Sequence, residues 1–245
     1  MPRPKRTDEA GGIYHALNRG NSRNDIFRKM ADFVAFEGIL AEGLSRYPCR
    51  ILSYQLMPNH WHFVLQPSED GGMSAFLRWV SLTHSMRHHA HYQTAGEGHF
   101  YQGRFKSFAV QDDEHFLVVC RYVERNALSA GLVARAEAWR WGSLWRWLQK
   151  PEPEPNLLSP WPLPRSANWV ERVNEPMTAQ ELDALRTSVR RGTPLGTPSW
   201  VEFVANRFHL ESTLRPRGRP RKDRPAPPPA ANRTRKSDRR TKKES

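Results

Sequence analysis

Two histidines separated by one residue, His60 and His62, form the first chemically suggestive pattern in the chain. If this segment is a β-strand, alternate side chains point to opposite faces, so the two imidazoles share one face about 7 Å apart along the strand. Trp61 and Phe63 would then lie on the other face and pack in a core. Because imidazole is a common ligand of divalent metal ions, the spacing predicts a metal site. The pattern alone is weak, since ten histidines in 245 residues give roughly 0.4 such pairs by chance.

A second group of side chains belongs to a helix that the sequence predicts over residues 112–131. The acidic cluster at 112–114 supplies its N-cap and first turn. At about 100° per residue, Tyr122 and Asn126 are neighbours and lie roughly 110° away from the apolar stripe of this helix. A tyrosine that served only the core would lie on that stripe, which consists of Phe116, Cys120, Val123 and Ala127.

Together, the two histidines, the amide and the tyrosine predict phosphoryl transfer. A divalent metal ion held by His60, His62 and an amide oxygen can polarise a phosphodiester. The hydroxyl of Tyr122 can then attack the phosphorus and form a covalent intermediate. A phenol has an ordinary pKa near 10 and is protonated at neutral pH, so the site must help to remove its proton.

Alternating strand-like and helix-like patterns over the first 148 residues provide the elements that position these groups. They predict an α/β or α+β sandwich. Two of the strands are separated only by Pro58 and Asn59, so they should pair as an antiparallel hairpin. The predicted strands are 13–18, 50–57, 60–66 and 104–111, and the predicted helices lie within 25–47, 73–92 and 112–131.

By composition, the whole chain divides into four parts. We expect residues 1–150 to form the catalytic domain, followed by a proline-rich linker or extended strap over 151–170. Residues 171–212 predict a helical extension with two short helices, near 178–191 and 199–209. This pair could be a helix-turn-helix or a packing appendage, and the sequence favours neither. Residues 213–245 form the fourth part.

The C-terminal residues 215–245 carry +10 of the net charge of +13 and include six prolines. With almost no large apolar side chains, this segment should be disordered until a polyanion binds it. Nucleic-acid binding is favoured over the alternative of a solubilising extension. Arg217, Arg219 and Arg221 lie in an RGRP-centred strip that resembles an AT-hook, whose guanidinium groups can enter a narrow minor groove.

Composition excludes several other classes of protein. Cys49 and Cys120 form no CxxC pair, which argues against a disulfide scaffold or a cysteine-built zinc site. The longest apolar run, 116–120, is far shorter than the roughly 18 residues of a membrane span. The charged N-terminus has no apolar stretch behind it, so we expect no secretory signal. These features predict a soluble cytoplasmic protein, associated with the nucleoid and not with a membrane.

Five stretches of the chain make a family resemblance recognisable. They are GIYHALNRGN (12–21), YQLMPNHWHF (54–63), GHFYQGRFK (98–106), YVERNALSAGL (122–132) and LRPRGRPRK (214–222). In this order, they resemble the REP-associated tyrosine transposases, a branch of the HUH single-tyrosine transposases. The resemblance extends over about residues 11–222.

This resemblance implies an α+β fold, with a ferredoxin-like antiparallel sheet, helices on one face, and a metal-dependent endonuclease site for single-stranded DNA. Carried over by position, His60 and His62 are ligands of Mg²⁺ or Mn²⁺. Asn126 occupies the place of a polar third ligand. Tyr122 is the nucleophile, which takes the 5′-phosphate and releases a 3′-hydroxyl, and the reverse attack rejoins strands. The implied substrate is a repetitive extragenic palindrome, a DNA hairpin with a short conserved sequence at its foot.

The resemblance also implies that the helix 73–92 and the segment 104–106 line the DNA-binding surface. Independently, basic side chains interleaved with aromatic ones in these segments suit phosphate contact with base stacking, although core packing is the alternative for several aromatics. The basic candidates are Arg78, Arg87, Arg104 and Lys106.

Two rival functions remain open at this point. A DNA-hairpin-binding protein that serves the host without catalysis would retain the fold and the affinity. A metal-dependent hydrolase would use a metal-bound water, but it would leave the Tyr122–Asn126 pair unexplained. The sequence is also compatible with either a monomer or a homodimer.

Overall fold

A four-stranded antiparallel sheet forms the centre of the computed structural model, which describes residues 7–215. The strand order is β2-β3-β1-β4, with every neighbouring pair antiparallel. Strands β2 and β3 form the predicted hairpin around Pro58 and Asn59. The strands are β1 (Ile13–Arg19), β2 (Cys49–Met57), β3 (His60–Pro67) and β4 (Lys106–Val110).

Two long helices connect the strands and cover one face of the sheet. Helix α1 (Met30–Arg46) joins β1 to β2, and helix α2 (Gly72–Tyr92) joins β3 to β4. Phe36 and Phe76 of these helices are buried with alternate residues of the strands, among them Trp61, Phe63 and Leu65. We call this cluster the helix-side core. The strand order and the two crossover helices confirm the predicted α+β, ferredoxin-like fold.

The opposite face of the sheet is covered as well, by helix α3 (Glu114–Glu124) and by segments that follow it in the chain. Val64 and Phe108 from the sheet pack there against Phe116 and Cys120 of α3. The predicted helix 112–131 is interrupted at Arg125, whose ψ of −9° departs from a regular helix, and helix α4 (Asn126–Ser129) follows. The predicted acidic cap is present, because the Asp113 carboxylate accepts a hydrogen bond from the His115 N–H.

Segments after residue 150 cover both edge strands. On one edge, the Ser159 N–H donates to the Ile51 carbonyl (2.9 Å), so the proline-rich segment forms a strap along β2. On the other edge, Leu195 pairs with β4 through hydrogen bonds to Ala109 and Gln111 (both 2.9 Å). The remaining helices are α5 (Ser143–Leu148), α6 (Trp169–Asn174), α7 (Ala179–Arg191), α8 (Pro198–Arg207) and α9 (Glu211–Leu214).

Within residues 7–215, no helix combines the length and the apolar character that crossing a bilayer requires. The basic C-terminal segment, with Arg217, Arg219 and Arg221, lies outside the described residues.

Candidate active site

Strand β3 carries His60 and His62 on the sheet face opposite the helix-side core, as the alternation predicts. We call this the site face. Trp61 and Phe63 point into the helix-side core, while Val64 continues the site face. The two imidazole ring centroids are 5.0 Å apart and the rings are nearly perpendicular (82°). His62 is almost completely buried, and His60 is half-buried at the end of the strand.

The side chain of Asn126 meets both histidines from the first position of α4. Its amide Nδ2 lies 3.4 Å from Nε2 of His62, and its side chain also acts on His60, where it offsets part of the lowering of that imidazole's pKa. Nδ1 of His60 is engaged by the Asn59 amide oxygen at 2.6 Å, so Nε2 is the nitrogen of that ring available on the side of Asn126. Two imidazoles and one amide therefore converge from two different elements.

The electrostatics of this group favour neutral imidazoles. Burial, together with the positive charge of Arg19, lowers the pKa of His60 to about 4. Burial also holds the pKa of His62 well below its usual range, with smaller contributions from the neighbouring histidines. A neutral imidazole keeps the lone pair that a metal ion requires.

The donor set fits a divalent metal ion on chemical grounds, since imidazole nitrogen and amide oxygen are both suitable ligands. Within residues 7–215, no three side chains of the His, Cys, Asp or Glu types are grouped to hold a metal ion. A metal site built on His60 and His62 would therefore rely on Asn126 for its third protein ligand.

Tyr122 faces the same site from α3. Its ring centroid is 5.8 Å from that of His62, and the two rings are perpendicular. The Tyr122 hydroxyl has no hydrogen-bond partner among residues 7–215, and the residue is half-buried. Burial raises its pKa, while the guanidinium groups of Arg186 and Arg19 offset part of this increase. The phenol is thus protonated at neutral pH, beside two positive charges that favour its anion.

Three other tyrosines that could in principle act as nucleophiles lie outside this site. Tyr14, Tyr54 and Tyr101 are all buried in the helix-side core, on the other side of the sheet from His60. Burial raises the pKa of each of them. Each hydroxyl is also hydrogen-bonded, to the Glu9 N–H, the Glu37 carboxylate and the Trp61 indole, respectively.

Three residues of the site were missing from the sequence analysis. His15 and Arg19 lie on β1, and their alternation with Tyr14 and Ala16 puts them on the site face. Arg19 is directly opposite His60 in the β1–β3 register. The alternation within the predicted strand was a usable signal for His15. Arg186 lies on α7, and no local pattern brings that helix to Tyr122.

The basic residues predicted to bind DNA lie in different places. Arg78 and Arg104 line a groove between α2 and the segment 101–105, on the helix side of the sheet. Lys106 begins β4 on the site face, opposite Leu17 of β1. Arg87 instead forms an ion pair with Glu42 of α1 at 2.9 Å.

Comparison with known proteins gives a family match and a similar fold. Residues 10–126 match the family model of IS200-like transposases, a range that contains His60, His62, Tyr122 and Asn126. A solved structure of a REP-associated tyrosine transposase bound to a REP hairpin aligns with 73% of this chain and 100% of its own chain. The sequence identity is 15% and the TM-score is 0.49. A search of curated proteins gives no significant match.

Proposed function

We propose that the chain, whose residues 10–126 match the family model of IS200-like transposases, is a metal-dependent transesterase for single-stranded DNA. The observation that carries the proposal is the Tyr122 ring beside His62, which Asn126 also contacts, with a hydroxyl that has no hydrogen-bond partner within residues 7–215. Within this family, the five stretches quoted above favour the REP-associated branch. The nucleophile of this protein would then be Tyr122.

In the proposed reaction, the Tyr122 oxygen attacks the phosphorus of a phosphodiester. A bond forms between the tyrosine oxygen and phosphorus, and the bond from phosphorus to the 3′-oxygen breaks. The 3′-oxygen leaves and takes up a proton, while the phenol loses its own. The product is a 5′-phosphotyrosine link and a free 3′-hydroxyl. Attack by another 3′-hydroxyl on the same phosphorus reverses the exchange and joins two strands.

His60, His62 and Asn126 would hold a divalent ion, Mg²⁺ or Mn²⁺, which when bound polarises the phosphate. The chain's own charges support the same step. Arg19 and Arg186 have guanidinium groups with no ion-pair or hydrogen-bond partner among residues 7–215, and both favour the tyrosinate electrostatically. They can neutralise the phosphate oxygens and the developing phenolate.

We propose hairpin DNA of the repetitive extragenic palindrome type as the substrate. The proposed phosphate contacts are Lys106 on the site face and, on the helix side of the sheet, Arg104 and Arg78 in the groove beside α2. The basic segment 215–245 would add contacts to the phosphate backbone. The ion pair with Glu42 makes Arg87 the weakest of the predicted DNA contacts.

We also propose that the protein acts as a monomer. Both edge strands of the sheet already pair with residues of the same chain, β2 with the strap and β4 with Leu195. These contacts occupy part of each edge and so disfavour the joining of a second sheet there. Light scattering of the purified protein should give a mass near 28.4 kDa, and a mass near twice that value would overturn this proposal.

The decisive experiment incubates the protein with single-stranded palindromes from the host's intergenic repeats and Mg²⁺ or Mn²⁺. A covalent adduct on Tyr122, seen by denaturing gel and peptide mass analysis, is expected with either metal and absent with chelator. Tyr122→Phe should form no adduct but keep its hairpin affinity. Tyr47→Phe is a matched control, because its hydroxyl also has no partner among the described residues but lies away from the site face.

The other outcomes identify the rival functions. Tight hairpin binding without an adduct, under both metals and across many palindromes, would indicate a binding protein that serves the host. Cleavage that survives Tyr122→Phe and leaves no protein on the DNA would indicate hydrolysis by water.

A further inference from the structure

A third histidine, His15, lies behind the candidate metal ligands and is completely buried. We propose that His15 is a positioning residue that fixes the tautomer and the ring orientation of His62, so that Nε2 of His62 is unprotonated and directs its lone pair toward Asn126. This inference rests on the proposed function for its ligand set, and it adds a residue that the ligand set does not contain.

The contact between the two rings is direct. Nε2 of His15 lies 2.9 Å from Nδ1 of His62, within hydrogen-bonding distance. The ring centroids are 5.1 Å apart and the ring planes differ by 27°. The contact runs diagonally between adjacent strands, because Leu17 and not His15 is the register partner of His62. The ring of Phe108 on β4 packs against the His15 imidazole, with the two ring centroids 4.9 Å apart.

One proton can occupy the space between these two nitrogens, and its position determines what His62 can do. If Nδ1 of His62 carries the proton and donates a hydrogen bond to Nε2 of His15, then Nε2 of the neutral His62 ring keeps its lone pair. If His15 donates instead, the proton of His62 resides on Nε2 and blocks that nitrogen. Only the first arrangement lets His62 bind a metal ion through the nitrogen that faces Asn126.

His15 itself is not placed to be a ligand. Its Nε2 is directed at His62, and its Nδ1 is buried with no hydrogen-bond partner among the residues that the structure describes. Its role would be that of the outer partner that metal-binding histidines ordinarily have, here filled by an imidazole in place of a carboxylate or a carbonyl. If His15 were present only for packing, an apolar side chain of similar size would replace it without consequence for metal binding.

The first test measures Mn²⁺ affinity of the full-length protein by calorimetry. His15→Leu fills the space but accepts no hydrogen bond, and we expect it to weaken Mn²⁺ binding by about 10- to 100-fold. His15→Gln can offer an amide oxygen to His62 and should restore part of the loss. His62→Ala serves as the reference for a lost ligand. Wild-type affinity in His15→Leu would overturn the proposal.

A second measurement needs no variant to fold and no metal to bind. Two-bond ¹⁵N–¹H NMR of the metal-free wild-type protein should show both His15 and His62 protonated at Nδ1. A His62 ring protonated at Nε2 would overturn the proposal. If the wild-type protein bound no Mn²⁺ while the NMR showed the expected tautomers, the metal site of the proposed function would fail and the positioning role of His15 toward His62 would stand.

Discussion

The carboxylate of Glu124 joins the helix that bears Tyr122 to the C-terminal part of the chain, and its replacement by glutamine is a sharp test of this architecture. Glu124 is fully buried at the end of α3. One of its oxygens accepts a hydrogen bond from the Ser143 hydroxyl and the other from the Trp169 indole, each at 2.7 Å. The guanidinium of Arg165 lies 3.6 Å from the same carboxylate, and it is also largely buried.

Glu124→Gln keeps the size of the side chain but removes both its charge and one acceptor. The new NH₂ group cannot accept from the Trp169 indole, or from Ser143 if the amide takes the other orientation. Arg165 also loses its buried counter-charge, although the rings of Trp147 and Trp161 still flank it. Breaking a buried ion pair by removing one partner costs about 3–5 kcal/mol, and we expect a loss of unfolding free energy in this range.

Urea denaturation followed by tryptophan fluorescence measures this loss directly. For a domain of this size, the expected change corresponds to a fall in melting temperature of roughly 6–20 °C. Glu171→Gln is the matched control, because Glu171 is an exposed carboxylate on α6 and its replacement should change stability by less than about 0.5 kcal/mol. A loss below about 1 kcal/mol in Glu124→Gln would refute the inference that this buried network holds α6 to α3.

Three further predictions concern charge. Burial lowers the pKa of His84 in the folded protein to about 3. As pH drops, this imidazole is therefore protonated in the unfolded chain before it is protonated in the folded one, and the free energy of unfolding should fall between about pH 6.5 and pH 4. His84→Gln should reduce the slope of unfolding free energy against pH by about 1.4 kcal/mol per unit there, and an unchanged slope would contradict the assignment. Arg19→Gln should slow adduct formation at least 10-fold while hairpin affinity changes little, as measured by single-turnover assay; an unaltered rate would remove Arg19 from the mechanism. Deleting residues 215–245 should weaken hairpin binding and flatten its dependence on salt in a titration, and an unchanged slope would show that this segment does not contact phosphate.

The sequence was most informative where the pattern is local. The β2–β3 hairpin follows from two strand patterns and a two-residue turn, and the placement of His60 and His62 follows from strand alternation. The same rule applied to the predicted strand 13–18 would have put His15 on the site face as well. Alternation identifies a shared face, but it does not tell which of several histidines on that face touch one another.

The sequence was least informative where tertiary contacts decide the structure. The predicted continuous helix 112–131 is interrupted at Arg125, whose guanidinium donates to the Val173 and Asn174 carbonyls at the end of α6. Helix α6 has only six residues, too few for a clear helical period, and its position depends on the Trp169–Glu124 contact. Arg186 reaches the electrostatic environment of Tyr122 only because α7 docks beside β4.

The two halves of the site are therefore held in place by different means. His60 and His62 are fixed by the sheet, whose register is set by the packing of Trp61 and Phe63 on the opposite face. Tyr122 is carried by α3, which the C-terminal helices hold through Arg121 and Glu124. A change that loosens the extension, such as Trp169→Phe, should then slow adduct formation on Tyr122 more than it weakens Mn²⁺ binding. An equal loss of both would mean that the metal ligands also depend on the extension, and that the sheet alone does not organise them.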